Sequence, residues 1–404
     1  MTAAALALLA PPLRLPAAQG GCPFTPPPAY TEAARSGAVT RSVLPDGTPC
    51  WLVTGHREVR SVLSDTRFSA DARTPGFPFL SPGQRQLATS RPSFIRLDDP
   101  EHSRLRRLVS GDFVLRRVDE LRPGIQQIVD DTLDAMVSAG GPADLVRDFA
   151  LPVPSLVICM MLGVPYEDHG VFQSLSRTLL DNTASAAEVA GAHRALMNYL
   201  AVLAERKAQA PGDDILSRLA TRDDLTPAEV ASLGFMLLVT GHESTANMTA
   251  ISTLALLRNP TLMGRLRNDP SLMPAAVEEL LRHLTIIHLG LGRAAREDVE
   301  VGGVTISAGD GVICMLSTAN RDEEVFGPTA DTLDVDRPDA RRHMSFGFGA
   351  HHCLGHALAR VELEIVLTTL LRRLPNLRLA TDESALAYNT SAIVYGVRAL
   401  PVTW

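Results

Sequence analysis

The sequence predicts a mainly α fold with a minor β region, on three observations. A helical pattern runs from Thr226 with no breaker until Asn259-Pro260. A second starts at Leu354 and places apolar residues at Leu358, Val361, Leu363, Ile365, Val366, Leu370 and Leu371. Strand patterns are confined to a segment near the N-terminus and to segments after residue 293. No internal repeat or linker divides the chain, so residues 29–404 read as one domain. Residues 1–28, rich in Pro, Ala and Gly, read as an irregular segment.

Composition narrows the function classes. The 404 residues are 46% hydrophobic and 21% charged, which is globular and long enough for a large core. A net charge of −7 argues against a nucleic-acid partner. Five scattered cysteines, an odd number, do not make a disulfide framework and point to a reducing cytoplasm. Met1–Ala10 lacks a basic flank and runs into Pro11-Pro12, a poor signal peptide. No later run reaches the roughly 18 apolar residues of a spanning helix, so no membrane is expected.

Taken in order, Cys50–Val53 is strand-like and Gly55–Leu63 a short helix. Asp71–Arg91 holds Pro75, Gly76, Pro78, Pro82 and Gly83 and reads as a long irregular loop. Such loops are functional lids or simply mobile surface. His102 and Arg106 are four apart and share a helix face. A cation pair there suits two ligand carboxylates, or is a solvated basic helix. Val118–Leu162 is helical with a break at Gly140-Gly141-Pro142, and residues 165–210 give further helices.

Thr226-Pro227-Ala228-Glu229 is a helix start with a capping box and a first-turn proline. The helix it opens runs roughly 30 residues, about 45 Å. Leu233–Val239 is apolar on all sides and should be buried. Thr240-Gly241-His242-Glu243-Ser244-Thr245 then interrupts it. A buried carboxylate is unfavourable unless paired or used. Gly241 weakens the helix by about 1 kcal/mol against Ala, and the hydroxyls favour local opening of backbone bonds. On residues alone, a kink with a satisfied polar network and a working acid stand level. Glu279 and Arg282 are three apart and can pair. Val299–Ile306 is a hairpin around Gly302-Gly303, Gly311–Leu316 a strand, and Ser391–Trp404 strand-like.

The chemistry concentrates in Ser345–Arg360. Gly347, Gly349 and Gly355 surround Cys353, placed where a glycine-rich loop enters a helix. Unpaired N–H groups and the helix dipole favour thiolate there. A thiolate in a tight loop is a nucleophile or a metal ligand. His351 and His352 adjoin it, yet neighbours in a tight loop rarely point the same way. Zinc needs about four ligands, and Cys353 has no Cys-x-x-Cys partner. Haem iron needs one thiolate, which favours O–O cleavage.

Phe346-Gly347-x-Gly349-x-His351-x-Cys353-x-Gly355 resembles the haem-binding loop of the cytochrome P450 family, and the resemblance extends over nearly all the chain. It implies a triangular helical prism with the long central helix over the haem. It implies a soluble bacterial, actinobacterial-type monooxygenase carrying haem b on Cys353. His102, Arg106, Arg293 and His351 would anchor the propionates, with Phe346, Gly347 and Gly355 completing the cradle. Glu243 and Ser244, where threonine is usual, with Thr245 beside them, would deliver protons. Phe77, Phe79, Leu80, Thr240, Ile286, Ile287, Leu289, Ala392 and Ile393 would line the pocket. Glu279, Arg282 and Arg337 would be structural.

The implied reaction hydroxylates or epoxidises a bulky apolar molecule, such as a macrolide or other polyketide, a terpenoid or a steroid. It would use O2 and electrons from an external ferredoxin and its reductase, docking on Arg104, Arg107, Arg341, Arg342 and Arg360. A cytoplasmic monomer is expected. A peroxide-driven hydroxylase and a non-catalytic haem-fold recruitment protein are the alternatives; retention of both the acid–hydroxyl pair and the cysteine argues against them.

Overall fold

The computed structural model describes residues 12–20, 22–90 and 93–404. They form two compact units, one from Met1–His102 with Glu278–Cys353, the other from Ser103–Val277 with Leu354–Trp404.

The first unit is built on a six-stranded sheet. Pro49–Val53 pairs antiparallel with Val39–Val43 and parallel with Gly311–Cys314. Gly311–Cys314 in turn pairs antiparallel with Leu291–Ala295. Pro-Cys-Trp-Leu-Val is apolar without alternation because both faces of the sheet are covered. Trp51, Val53, Val312 and Cys314 face one core with Val59, Val62 and Leu63 of the helix His56–Ser64. Cys50, Leu52 and Ile313 face a second with Leu15, Tyr30 and Leu44. The Val299–Val301 and Val304–Ile306 hairpin forms as its Gly-Gly turn predicts.

Three segments differ from their sequence pattern. Pro82–Ser90, inside the expected irregular loop, is a helix. The strand from Gly311 stops at Cys314, and Leu316–Ala319 turns helical beneath it. In Ser391–Trp404, Pro401–Thr403 is the strand. The irregular segment expected over residues 1–28 falls partly on 1–11 and 21, outside the described residues. Leu13–Arg14 within it pairs with Ser42-Val43.

The second unit centres on the helix Pro227–Leu257, 31 residues long. Its capping box is formed: Thr226 Oγ1 accepts from the Glu229 N–H at 3.3 Å, and Glu229 Oε2 accepts from the Thr226 N–H at 2.9 Å. The helices Pro152–Leu162, Ala186–Gln209 and His356–Arg373 pack around it and bury nearly its whole length. Gly241 has a packing reason: a Cβ there would stand 2.9 Å from the Ile158 side chain. No helix among the described residues is long and apolar enough to cross a membrane.

Glu279 and Arg282 are fully buried in the first unit, joined by two bonds of 2.7 Å. Arg337 Nε adds a third at 3.3 Å to Glu279. The remaining guanidinium donors are used on backbone: Arg282 on the carbonyls of Asn320, Ala330 and Thr332, Arg337 on those of Phe326 and Thr329. Such a triad is stable only while complete, since removing one partner strands a buried charge. Glu279→Ala or Arg282→Ala should lower stability by about 3–5 kcal/mol, read as a fall in the urea midpoint with the slope unchanged.

Candidate functional site

Cys353 lies at the end of a loop closed on itself. Its N–H donates to Phe346 O at 2.8 Å, Gly347 N–H to Met344 O at 2.8 Å, and His352 N–H to Gly349 O at 3.0 Å. Gly347 and Gly349 sit at φ +70° and +74°, where a side chain is strained. At Gly349 a Cβ would also lie 2.4 Å from Leu63 O, so the loop meets the end of the helix His56–Ser64 backbone to backbone. Cys353 is exposed. Cys50, Cys159 and Cys314 are buried, which pushes each thiol up to about 12 and keeps it protonated. The helix His356–Arg373 follows with Gly355 as its N-cap, where a Cβ would meet nothing within 4 Å.

The loop is tied to the buried triad through Asn320, a residue that no sequence motif marks. Asn320 O accepts from Arg282, while Asn320 Oδ1 accepts from the Met344 N–H at 2.7 Å. Its Nδ2 donates to Ser345 Oγ and Thr285 Oγ1, both at 2.8 Å. Ser345 Oγ donates on to Leu281 O at 2.7 Å. Fully satisfied buried networks rigidify what they hold.

Around this loop the first unit gathers basic groups. The His102 and His351 rings lie 4.0 Å apart between centroids, and His102 is buried. Arg293 is 5% exposed and donates to Gly292 O at 2.8 Å. Among the described residues no carboxylate forms an ion pair with it. Phe346 stands 5.7 Å from the His343 ring and 6.4 Å from the His352 ring. Leu289 is buried, and Ile286 and Ile287 are partly exposed. Phe77 is buried with Ala72 and Ala294, with Phe79 against it, and Leu80 packs on the Leu15–Tyr30 core.

The second unit holds the polar cluster of the long helix. The helix is continuous there; its side chains bond carbonyls one turn back instead of opening it. Thr240 Oγ1 donates to Met236 O at 2.7 Å, Ser244 Oγ to Thr240 O at 3.1 Å, and Asn247 Nδ2 to Glu243 O at 2.7 Å. Asn247 Nδ2 also reaches Glu243 Oε2 at 3.4 Å, while Glu243 Oε1 is buried without a partner. Burial raises the Glu243 pKa despite the Arg177 charge and this bond. Thr245 is buried, whereas Thr240 is exposed within the buried middle of the helix. Gly396 makes room for Asn247: a Cβ would fall 1.9 Å from its Oδ1. Ala392 bridges Asp181, and Ile393 N–H donates to Leu180 O at 3.0 Å, so this turn is pinned to the end of the helix His169–Leu180. Arg106 lies on the helix Glu101–Ser110, half-buried.

A model of the cytochrome P450 family matches residues 204–377. The chain is 55% identical to "Cytochrome P450-SU2" of Streptomyces griseolus, over 98% of each chain. It is 46% identical to "Pentalenic acid synthase" of Streptomyces avermitilis, over 95% of each. Its structure superposes with a TM-score of 0.91 on that of the mycinamicin VIII C21 methyl hydroxylase of Micromonospora griseorubida. That enzyme is 38% identical, with 97% of this chain and 100% of the other covered. The fold and the cysteine loop define a bacterial haem-thiolate oxygenase. The chain belongs to the cytochrome P450 family; it is a P450 monooxygenase that binds haem through a cysteine thiolate. The residues present fit that group: an exposed cysteine in a hydrogen-bonded loop, open room beside Gly355, and a buried Arg293 that forms no ion pair with a carboxylate among the described residues.

One acid escaped the sequence reading altogether. Glu362, on the inner face of His356–Arg373, is buried with Oε2 unpartnered, and burial pushes it up to about 8. Its raised folded pKa means the fold is penalised as pH rises from the ordinary carboxylate range towards about 8. Glu362→Gln should therefore gain stability at pH 8 by about 2 kcal/mol or more and little at pH 4.5, in paired urea titrations. Asn320→Ala should lose about 1–3 kcal/mol and release haem faster, followed by loss of the Soret band.

Proposed function

We propose that this monooxygenase hydroxylates or epoxidises a bulky apolar secondary metabolite of the polyketide, terpenoid or steroid kind, with electrons from an external ferredoxin. Similarity over nearly the full chain to the pentalenic acid synthase and the mycinamicin hydroxylase carries this reading. Haem, when bound, supplies dioxygen activation: one oxygen atom enters a C–H bond, the other leaves as water, and two electrons and two protons are taken up. Everything else falls to the chain.

Cys353 is the iron ligand, held by the Phe346 and Asn320 contacts, and Phe346 keeps water from its sulfur. His102, Arg106, Arg293 and His351 hold the propionates. Gly347 and Gly355 let the backbone come close. Glu243, kept protonated more readily than an exposed acid, holds a proton at its carboxyl, and Ser244 passes it on, with Thr245 beside them. Asn247 orients the Glu243 carboxyl. Thr240, whose hydroxyl proton is engaged by Met236 O, offers substrate only an acceptor. Phe77, Phe79, Leu80, Ile286, Ile287, Leu289, Ala392 and Ile393 would line the apolar pocket. Arg107, Arg341, Arg342 and Arg360 steer the acidic ferredoxin; Arg104 is engaged by Glu229 and contributes less. The location is cytoplasmic and the protein monomeric.

Titrating the ferric enzyme with a panel of macrolides, terpenoids and steroids tests the substrate class; no type-I spectral shift with any of them would sink it. Glu243→Gln should lower turnover about 10²-fold, with Ser244→Ala raising peroxide released per electron. Turnover supported by peroxide alone and unaffected by Glu243→Gln would favour a peroxide-driven hydroxylase instead.

A further inference from the structure

One backbone position in the first unit is strained. Thr285 follows the helix Met273–Leu284, and its N–H still donates to Leu281 O at 3.2 Å. Its φ is +33°, and among the described residues it alone, glycines apart, has a positive φ. Helices commonly end on a left-handed residue, but that residue is usually glycine and sometimes asparagine. A β-branched side chain there is a genuine outlier. Such a residue persists only where its surroundings over-determine it.

The surroundings do so through the hydroxyl. Thr285 is buried; its Oγ1 donates to Arg282 O at 2.7 Å and accepts from Asn320 Nδ2 at 2.8 Å. Arg282 O is among the last carbonyls of its helix, which have no partner inside it. A glycine would end the helix equally well and without strain, so capping does not account for a threonine. The two side-chain bonds do. The same Asn320 amide holds Ser345 of the cysteine loop.

The chain beyond Thr285 is fixed at its far end as well. Gly290 sits at φ +70°, where a Cβ would lie 2.7 Å from Cys314 O. Between these two left-handed points His288 bonds the Leu284 backbone, Leu289 is buried, and Ile287 leans on the core of Val53 and Val312. Ile286, next to Thr285, is left half-buried. We propose that Thr285 is a substrate-positioning residue: its hydroxyl, by joining Arg282 O to Asn320, locks the left-handed backbone that fixes where Ile286 meets a bulky apolar ligand. This rests on the reading of Ile286 as pocket wall.

Spectral titration of the holoenzyme with imidazole and with clotrimazole, the same ring carrying three aryl groups, reads the wall separately from the iron. In Thr285→Val, which keeps the shape and removes the hydroxyl, preference for clotrimazole over imidazole should fall about tenfold. Thr285→Ser should keep the wild-type preference, and Ile286→Ala should lower it. An unchanged preference in Thr285→Val overturns the proposal; if Ile286→Ala lowers it all the same, the pocket reading stands alone. No change in either variant overturns both together. A fall in Thr285→Val with none in Ile286→Ala also overturns the proposal, because the hydroxyl then acts elsewhere. Equal weakening of both azoles in Thr285→Val, at constant preference, would make the hydroxyl merely structural and overturn it too. Should Thr285→Val not accumulate with haem, Thr285→Gly removes the same hydroxyl and relieves the backbone: a lowered preference supports the lock, and a wild-type preference overturns it.

Discussion

The hydrogen bond from the Cys353 N–H to Phe346 O is the contact on which the site depends. A sulfur presented for ligation must keep its position while its own backbone is satisfied. The loop meets both demands by turning back at Phe346 and using two left-handed glycines to do so. What prevents the turn from drifting is outside it. Asn320 holds Met344 and Ser345 from one side, and Leu63 blocks Gly349 from the other. Asn320 is itself fixed by Arg282, so the buried triad and the cysteine loop form one hydrogen-bonded body.

Buried charge divides into two populations with different physical status. Glu279, Arg282 and Arg337 are ion-paired with one another, and the arginines spend their other donors on backbone carbonyls that belong to no regular element. Glu243, Glu362, Arg96 and Arg293 are not compensated within the protein to the same degree, and burial moves each towards its neutral form. A fold retains such groups where a ligand or a proton transfer makes use of them. His242 is a quieter case. Its Nδ1 meets Leu238 O at 2.7 Å and burial brings it down to about 4, so it stays neutral inside the helix.

The long helix solves its polar problem without breaking. Thr240, Ser244 and Asn247 each return a donor to the carbonyl one turn back, so those carbonyls accept twice. Gly241 is there because Ile158 occupies the place of its side chain. A glycine next to hydroxyls looks like a flexible point in a sequence, and packing makes it a fixed one.

Local chemistry was legible in the residues alone. The Thr226 capping box, the Gly302-Gly303 hairpin, the long helix, the cysteine loop before a helix and the spacing of Glu279 and Arg282 all depend on neighbours within a few positions. What tertiary structure decided depends on partners far away in the chain. Pro82–Ser90 is helical although its composition suggests a loop. Phe77 turns into a cluster with Ala294, Asn320 becomes a junction, and Asp98 is bonded by Arg296 and Ser69. Residue type and spacing state which groups can bond. Which groups are left without a protein partner is settled only when distant segments compete for them in the folded chain.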